Sequence, residues 1–193
     1  MPKIEPWDIL KSEIVFHNKW VTIQQDAVKL PNGLVIDDYF VNIRPEVVIA
    51  LPVTKEGNAI MVRQYKHGGK EILLEFPGGV FSEGIPLGNA EKETPLEGAL
   101  REMREETGYH SDEMVYLGKV FDDPTKDTNS IHFFLAKNAY KKFEPEPDLT
   151  ENIEVLEIPF ADIPELIKTN KIKVCGAIAI YTMAAMHLGS AEF

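Results

Sequence analysis

Cysteine and positive charge are both scarce in this chain, and each shortage excludes a class of protein. Cys175 is the single cysteine among 193 residues, so an intramolecular disulfide is excluded and we expect a reducing, cytoplasmic environment. The chain has 20 Lys and Arg against 31 Asp and Glu, a formal net charge of −11. This charge disfavours nucleic acids and anionic membranes as partners. A phosphate-bearing ligand would need a cation between itself and the protein.

Long hydrophobic runs and several common catalytic motifs are also missing. The longest nearly apolar stretch, residues 174–186, is too short to cross a bilayer and predicts a buried helix. The first ten residues lack the basic-then-apolar pattern of a signal peptide. The five histidines show no zinc-ligand spacing. Neither the glycine-rich phosphate loop nor the G-x-S-x-G motif of serine hydrolases occurs.

The clearest local signal in the sequence is a short amphipathic helix within residues 93–109. Thr94 suits the N-cap, Pro95 suits the first helical position, and Glu97 completes a T-x-x-E capping box. Gly108 stands where a left-handed residue would end the helix. The predicted core-facing stripe consists of Leu96, Ala99, Leu100 and Met103.

Three glutamates, Glu102, Glu105 and Glu106, lie on a neighbouring strip of this helix. Like charges at these spacings repel by about 0.2–0.5 kcal/mol per pair, and the C-terminal half of a helix disfavours anions. A divalent cation would reverse that repulsion, and carboxylate oxygens suit Mg²⁺ or Mn²⁺. The alternative is a solvated acidic face that binds nothing. Arg101, placed to hold Glu105, favours the metal site, as does the position of the glutamates beside the apolar stripe.

Residues 101–109, REMREETGY, resemble the R-E-U-x-E-E-x-G-U core of the Nudix box, in which U is a bulky apolar residue. Glu93 stands eight residues before Arg101, as that box requires. The family's glycine corresponds to Gly79, but it lies fourteen residues before Glu93 instead of six. We interpret the difference as an eight-residue insertion, residues 85–92. Loops tolerate insertions at low cost, so the insertion concerns loop geometry and substrate access more than the metal cluster.

Features outside the box resemble one branch of the family, the ADP-ribose pyrophosphatase-like enzymes. Residues 62–79, VRQYKHGGKEILLEFPGG, are similar to the strand that precedes their box. Pro124, fifteen residues after Tyr109, matches a proline found in members that hydrolyse ADP-ribose. The N-terminal strands resemble the small extra domain with which these enzymes form dimers, and residues 152–188 are similar as well. The resemblance therefore covers nearly the whole chain.

The resemblance implies a role for each residue of the metal cluster. Glu102 and Glu106 would be metal ligands together with Glu105, and the Gly78 carbonyl would complete the shell. Arg101 would orient the glutamates. Another candidate is Glu151, which corresponds to a loop glutamate that acts in some relatives as a base or metal ligand. Its alternative is a solvated acid, because residues 144–154 contain five acidic side chains.

The same resemblance implies a set of substrate contacts. Trp20 and Tyr39 match positions where relatives stack aromatic rings on adenine, although aromatic residues in strands are more often part of the core. Arg44 and Lys66 are candidate contacts to the pyrophosphate. Relatives often have arginine where this chain has Lys66, a point charge without the two-pronged geometry of a guanidinium group.

The order of predicted elements favours an α/β fold with a mixed sheet, because strands and helices do not alternate regularly. We expect a small N-terminal antiparallel β subdomain in residues 1–43 and a Nudix α/β/α sandwich in residues 44–193. Two or three short strands are marginal alone, so we expect a homodimer formed through the N-terminal strands. The predicted strands are 13–16, 20–30, 34–43, 47–54, 59–66, 72–76, 114–121, 131–136 and 153–158, with further helices at 163–169 and 177–188.

The sequence thus predicts a Mg²⁺-dependent hydrolase of the pyrophosphate bond in a nucleoside diphosphate sugar, with ADP-ribose favoured and Mn²⁺ as a second possible metal. One alternative is a Nudix hydrolase of dinucleoside polyphosphates, coenzyme A or nucleoside triphosphates. A second, of another class, is a non-catalytic Nudix module that senses a nucleotide sugar. Such modules usually lose glutamates of the box, whereas this chain keeps Glu102, Glu105 and Glu106.

Overall fold

The structure, a computed structural model, describes residues 3–81 and 93–189. The predicted insertion at 85–92 lies outside the described residues. The chain divides into two compact units. The first comprises the described residues up to Pro45 together with Phe121–Asn129, and the second comprises the rest.

The first unit contains a three-stranded antiparallel sheet in the order β1-β2-β3, as the sequence predicts. Its strands are β1 (Asp8–His17), β2 (Thr22–Lys29) and β3 (Val35–Ile43). β1 begins five residues before the predicted start. Every residue of β1 is exposed, including the apolar Ile9, Leu10, Ile14, Val15 and Phe16.

The segment Phe121–Asn129 belongs to the first unit, which the sequence did not indicate. Asn42 and Asp127 form a parallel bridge, and the Tyr39 hydroxyl donates a hydrogen bond to the Thr125 carbonyl at 2.5 Å. These contacts join residues more than 80 positions apart, so no local pattern could reveal them.

The second unit contains an eight-stranded mixed sheet with the central order β11-β5-β4-β10-β8. β6 pairs with β5, β7 with β4, and β9 with β10. β4 and β10 run parallel, with Val47 beside Ile131. The strands are β4 (Val47–Thr54), β5 (Asn58–Lys66), β6 (Glu71–Glu75), β7 (Gly78–Val80), β8 (Tyr109–His110), β9 (Glu113–Phe121), β10 (Ser130–Lys141) and β11 (Ile153–Pro159).

Helices cover both faces of this sheet, as expected for an α/β/α sandwich. They are α1 (Pro95–Thr107), α2 (Ile163–Lys168) and α3 (Cys175–Gly189), with a short 3-10 helix at Phe160–Asp162. Alternate strand residues point to opposite faces, so Ile60 packs in the cluster of α1 whereas Met61 packs in the cluster of α3. Among the described helices, none is long and apolar enough to cross a membrane.

Candidate functional site

Helix α1 has the ends that the sequence predicts. The Thr94 hydroxyl accepts a hydrogen bond from the Glu97 N–H, and the Glu97 carboxylate accepts one from the Thr94 N–H at 2.8 Å. Gly108 ends the helix with φ at 74°, and its N–H donates to the Arg104 carbonyl. These caps fix where the helix begins and ends and therefore place the three glutamates in its last two turns.

The predicted apolar stripe of α1 is wrong at one position. Ala99 and Met103 are fully buried and Leu100 is partly buried, but Leu96 is 42% exposed. The first turn instead approaches the core at Gly98, where an added Cβ would lie 2.7 Å from the Cβ of Phe81. Leu96 lies within about 20° of the buried Met103 around the helix, so its exposure comes from its position in the first turn and not from the helical face it occupies.

Glu106 is a carboxylate buried almost completely, with 2% of its surface exposed. The Gly78 N–H donates a hydrogen bond to its Oε2 at 3.0 Å. The pKa of Glu106 is raised to about 8, first by burial and then by the negative charges of Glu102 and Glu151, while the Gly78 hydrogen bond and the charge of Lys66 oppose the shift. Such a group gains from a cation nearby, because the cation offsets the cost of keeping its charge away from water.

Glu102 is also affected by burial and by neighbouring negative charges. Burial raises its pKa, and repulsion from Glu105 and Glu151 adds to the shift, while Arg101 opposes it. The carboxylate lies against Gly79, where an added Cβ would be 2.4 Å from Glu102 Oε1. A residue with a side chain at position 79 would therefore displace the carboxylate.

Arg101 uses every donor of its guanidinium group, four of them on carboxylates and one on a backbone carbonyl. It donates to both oxygens of Glu93 at 2.8 and 3.1 Å, to Glu102 at 2.8 Å, to Glu105 at 3.1 Å and to the Val80 carbonyl at 3.0 Å. The bond to Glu105 confirms the predicted contact. Sequence reasoning did not assign Glu93 as a partner of Arg101, although its position eight residues upstream was the available signal.

The donor set fits a hard divalent cation in its chemistry. Three carboxylates lie on one stretch of α1, and the pKa values of Glu102 and Glu106 are raised by burial and by repulsion from nearby carboxylates, which a cation would relieve. In the described chain, no three Asp, Glu, His or Cys side chains already converge on one point. Glu102 and Glu105 turn to Arg101 and Glu106 turns to Gly78. Binding a cation would therefore require these side chains to turn.

Glu151 and Lys66 both act electrostatically on this cluster. The Glu151 carboxylate accepts a hydrogen bond from the Asp148 N–H at 3.1 Å, and its charge raises the pKa of both Glu102 and Glu106. Lys66, at the end of β5, has the opposite effect on the pKa of Glu106 and forms an ion pair with Glu75 at 3.6 Å. The two side chains thus contribute charges of opposite sign to the cluster.

Trp20, Tyr39 and Arg44 belong to the first unit. Trp20 is 78% exposed, so it is not a core residue of the chain. Tyr39 packs edge-on against Trp7, with ring centroids 5.7 Å apart. Arg44 forms ion pairs with Asp127 at 2.6 Å and Asp122 at 3.3 Å, and these raise its pKa. A phosphate at Arg44 would compete with two carboxylates.

Comparisons with known proteins extend over almost the whole chain. A family model described as the NUDIX domain matches residues 43–174, and one described as the nucleoside diphosphate sugar hydrolase N-terminal domain matches residues 7–42. The chain is 30% identical over 173 residues to a methanol dehydrogenase activator of Bacillus methanolicus, covering 89% of each protein. It is also 30% identical over 173 residues to an ADP-ribose pyrophosphatase of Bacillus subtilis (strain 168), covering 89% of this chain and 88% of that protein.

The fold is also similar to that of a solved protein. The crystal structure of an ADP compounds hydrolase superposes with a TM-score of 0.84 and 21% sequence identity. The match covers 99% of this chain and 98% of the other. At this identity, the likeness demonstrates a shared fold.

Proposed function

Because this chain belongs to the Nudix hydrolase family, we propose that it hydrolyses the pyrophosphate bond of a nucleoside diphosphate sugar. The products are a nucleoside monophosphate and a sugar phosphate. The observation that carries the proposal is a pair of glutamates on α1, the buried Glu106 and the partly buried Glu102, whose pKa values are raised. ADP-ribose is the favoured substrate, because a relative 30% identical over most of its length is an ADP-ribose pyrophosphatase.

The glutamates of α1 hold the metal in this proposal. Glu102, Glu105 and Glu106 are the ligands, together with the Gly78 carbonyl, and Mg²⁺ is the expected ion with Mn²⁺ as an alternative. When bound, a divalent ion neutralises phosphate charge and makes a water molecule nucleophilic near neutral pH. Arg101 orients the glutamates, which its hydrogen bonds to Glu102 and Glu105 support.

Residues outside α1 accept the proton of the attacking water and bind the substrate. Glu151 accepts the proton of the attacking water, which adds to one phosphorus atom of the pyrophosphate while the bridging P–O bond breaks. Lys66 and Arg44 contact the pyrophosphate, and Trp20 and Tyr39 stack on the base. The exposure of Trp20 supports its part, because an exposed indole ring is accessible to a base. The Lys19 ammonium group lies over this ring, 4.6 Å from its centroid.

We further propose that the chain is a cytoplasmic homodimer with an N-terminal subdomain in residues 1–43 and a hydrolase domain in residues 44–193. The exposed apolar residues of β1 support the dimer. They form a row of apolar side chains on an edge strand, which proteins normally cover.

A substrate panel tests the proposed reaction. Nucleotide sugars, dinucleoside polyphosphates, coenzyme A and nucleoside triphosphates are incubated with the protein and Mg²⁺, and the products are separated by chromatography. We expect nucleoside monophosphate and sugar phosphate from the nucleotide sugars, at the highest kcat/KM. Faster cleavage of another class would favour the alternative hydrolases. Binding of nucleotide sugars without turnover would favour a sensing module.

A further inference from the structure

Glu75, the last residue of β6, carries a buried oxygen that has no explained role. Its side chain is 17% exposed, and Oε2 has no hydrogen-bond partner among the described residues. Buried polar atoms are nearly always hydrogen-bonded, because leaving one unpaired is costly, and more so when it is charged. A buried carboxylate oxygen without a donor therefore calls for a functional explanation.

The strand register determines which face of the sheet Glu75 occupies. Val62 of β5 lies opposite Glu75 on one side and opposite Val155 of β11 on the other. Opposed residues in antiparallel strands share a face, and Val155 packs with the core cluster of α1. Glu75 therefore faces the α1 layer, the layer that carries Glu102 and Glu106.

Lys66 provides the nearest positive charge. Its Nζ lies 3.6 Å from Glu75 Oε2, a distance beyond that of a hydrogen bond. No hydrogen-bond acceptor for Nζ occurs in the described parts of the chain, and the side chain is 42% exposed. The charge of Lys66 nevertheless reaches the cluster, since it acts on the pKa of Glu106. The ammonium group is thus held by attraction while its three donors stay available.

We propose that Glu75 is a positioning residue that directs the Lys66 ammonium group toward the diphosphate of the substrate. The inference rests on the proposed function, in which Lys66 contacts the pyrophosphate. A lysine ammonium group is a point charge on a flexible stem, and an ordered stem loses less entropy when it binds. The carboxylate restrains the ammonium group without using its hydrogen bonds, which the phosphate oxygens can then accept.

Glu71 provides a matched control on the same strand. It lies directly opposite Lys66 in the ladder between β5 and β6 and points to the same face as Glu75. Its carboxylate is bonded to Lys173 instead. Replacing Glu71 removes a charge near Lys66 without removing the partner that Lys66 has in the structure.

The test measures ADP binding by isothermal titration calorimetry, with Ca²⁺ in place of Mg²⁺ to suppress turnover. The variants are Glu75→Gln, Lys66→Met, the double variant and Glu71→Gln. We expect Glu75→Gln and Lys66→Met each to raise the Kd for ADP by about tenfold, within the range for coupled neighbours. The double variant should bind no more weakly than Lys66→Met alone, and Glu71→Gln should bind like the wild type.

Several results would overturn the positioning role. The first is a double variant in which the losses of ADP affinity from the two single variants add. The second is a Glu71→Gln variant that loses as much ADP affinity as Glu75→Gln. The third is a wild-type protein that does not bind ADP. A Glu75→Gln variant with weaker Ca²⁺ binding and unchanged ADP binding would make Glu75 a metal ligand instead. Failure of the proposed function would appear in the substrate panel as absence of nucleotide-sugar hydrolysis. The coupling between Glu75 and Lys66 is measured by ADP binding alone, so the two failures can be distinguished.

Two further measurements separate positioning from folding. Glu75→Gln should unfold at a temperature close to that of the wild type, because the amide fills the same volume and Oε2 has no hydrogen bond to lose within the described chain. If it does not fold, Glu75→Asp replaces it and keeps the charge on a shorter stem. Its Kd for ADP should lie between the values for the wild type and Lys66→Met, and a loss equal to that of Lys66→Met would contradict the proposal. In hydrolysis, KM should rise more than kcat falls.

Discussion

At the scale of single residues, Glu106 combines nearly complete burial with a position among other negative charges. Replacing it with glutamine keeps the volume and removes the charge, so we expect the fold to remain intact. Turnover should fall by at least about 100-fold, since even residues that only support a metal ligand contribute 10- to 100-fold. Steady-state hydrolysis at saturating Mg²⁺ measures the effect. Activity close to that of the wild type would show that Glu106 is not a ligand.

A matched control for Glu106→Gln is Glu165→Gln. Glu165 lies exposed on α2 and pairs with Lys168, and such surface pairs contribute little. Its turnover and melting temperature should equal those of the wild type. Loss of activity in both variants would indicate a general effect of charge.

The raised pKa of Glu106 also predicts a pH dependence of stability. In the unfolded chain, a glutamate loses its proton near pH 4.3, whereas in the folded metal-free protein Glu106 keeps it up to about pH 8. The folded state therefore binds more protons between these values. The contribution of this group to stability is complete below the lower pKa and is lost as the pH rises through the upper one.

Thermal unfolding at several pH values tests this prediction. The melting temperature of metal-free protein should fall from about pH 5 to about pH 8.5, and the fall should be smaller in Glu106→Gln. Mg²⁺ should stabilise the wild type more at the higher pH, because the ion must displace a proton from its ligand. An equal stabilisation at both pH values would be inconsistent with Glu106 as that ligand.

At the scale of elements, β7 packs closely against other parts of its unit. Substituting its two adjacent glycines, Gly78 and Gly79, should therefore have different effects on stability and activity. An added Cβ at Gly79 would meet the Glu102 carboxylate, which is the end of a flexible side chain, whereas one at Gly78 would lie 2.3 Å from the Val48 carbonyl. Gly79→Ala should therefore lower activity with little loss of stability. Gly78→Ala should destabilise the fold by about 1–3 kcal/mol.

Denaturant unfolding and hydrolysis assays on the same preparations separate these two effects. Gly68→Ala is the neutral control, because no atom of the described residues lies within 4 Å of its added Cβ. If Gly79→Ala were fully active, the contact between Gly79 and the Glu102 carboxylate would have no catalytic importance.

The sequence predicts α1 well because every signal for it is local. Its caps lie within three or four residues of the groups they bind. The short strands β7 and β8 were not predicted, since three and two residues carry no periodic pattern. The contacts of Glu46 with Ser130 at 2.6 Å and His132 at 2.8 Å were equally unpredictable. They join residues 84 and 86 positions apart, which meet only because β4 and β10 are adjacent.

The candidate site divides in the same way between what the sequence predicts and what it does not. The helical period predicts that Glu102 and Glu106 share a strip, and the spacing of Arg101 and Glu105 predicts their contact. Neither pattern predicts that Glu106 is nearly inaccessible, because its burial depends on the sheet against which α1 packs. The burial of Glu75 Oε2 beside Lys66 similarly depends on strand register.

At the scale of the whole molecule, we expect a homodimer because β1 leaves apolar side chains exposed along an edge. Light scattering should give about twice the chain mass of 21.8 kDa. Ile14→Lys, a charge on that edge, should shift the protein toward the monomer. Ile72→Lys, at a similarly exposed position on β6, should leave the dimer intact. A monomer of wild-type protein at micromolar concentration would contradict this expectation.

Trp20 links the first unit to substrate binding in our proposal. Stacking of an aromatic ring on a base contributes about 1–3 kcal/mol, so Trp20→Ala should raise KM by roughly 5- to 150-fold. The effect on kcat should be smaller, because the base is remote from the reacting phosphate. Trp20→Phe keeps an aromatic ring and should retain most of the affinity. An unchanged KM in Trp20→Ala would leave the indole without a role in binding.

The hydrogen bonds of Arg101 have a consequence for the order of folding and metal binding. Its guanidinium group already supplies a positive charge to Glu93, Glu102 and Glu105, so we expect the newly made chain to fold without waiting for a metal ion. The metal ion of the proposed function could then bind and dissociate many times after folding is complete. Activity would then depend on the free Mg²⁺ concentration at the time of reaction, and not on how much Mg²⁺ was present when the chain was synthesised.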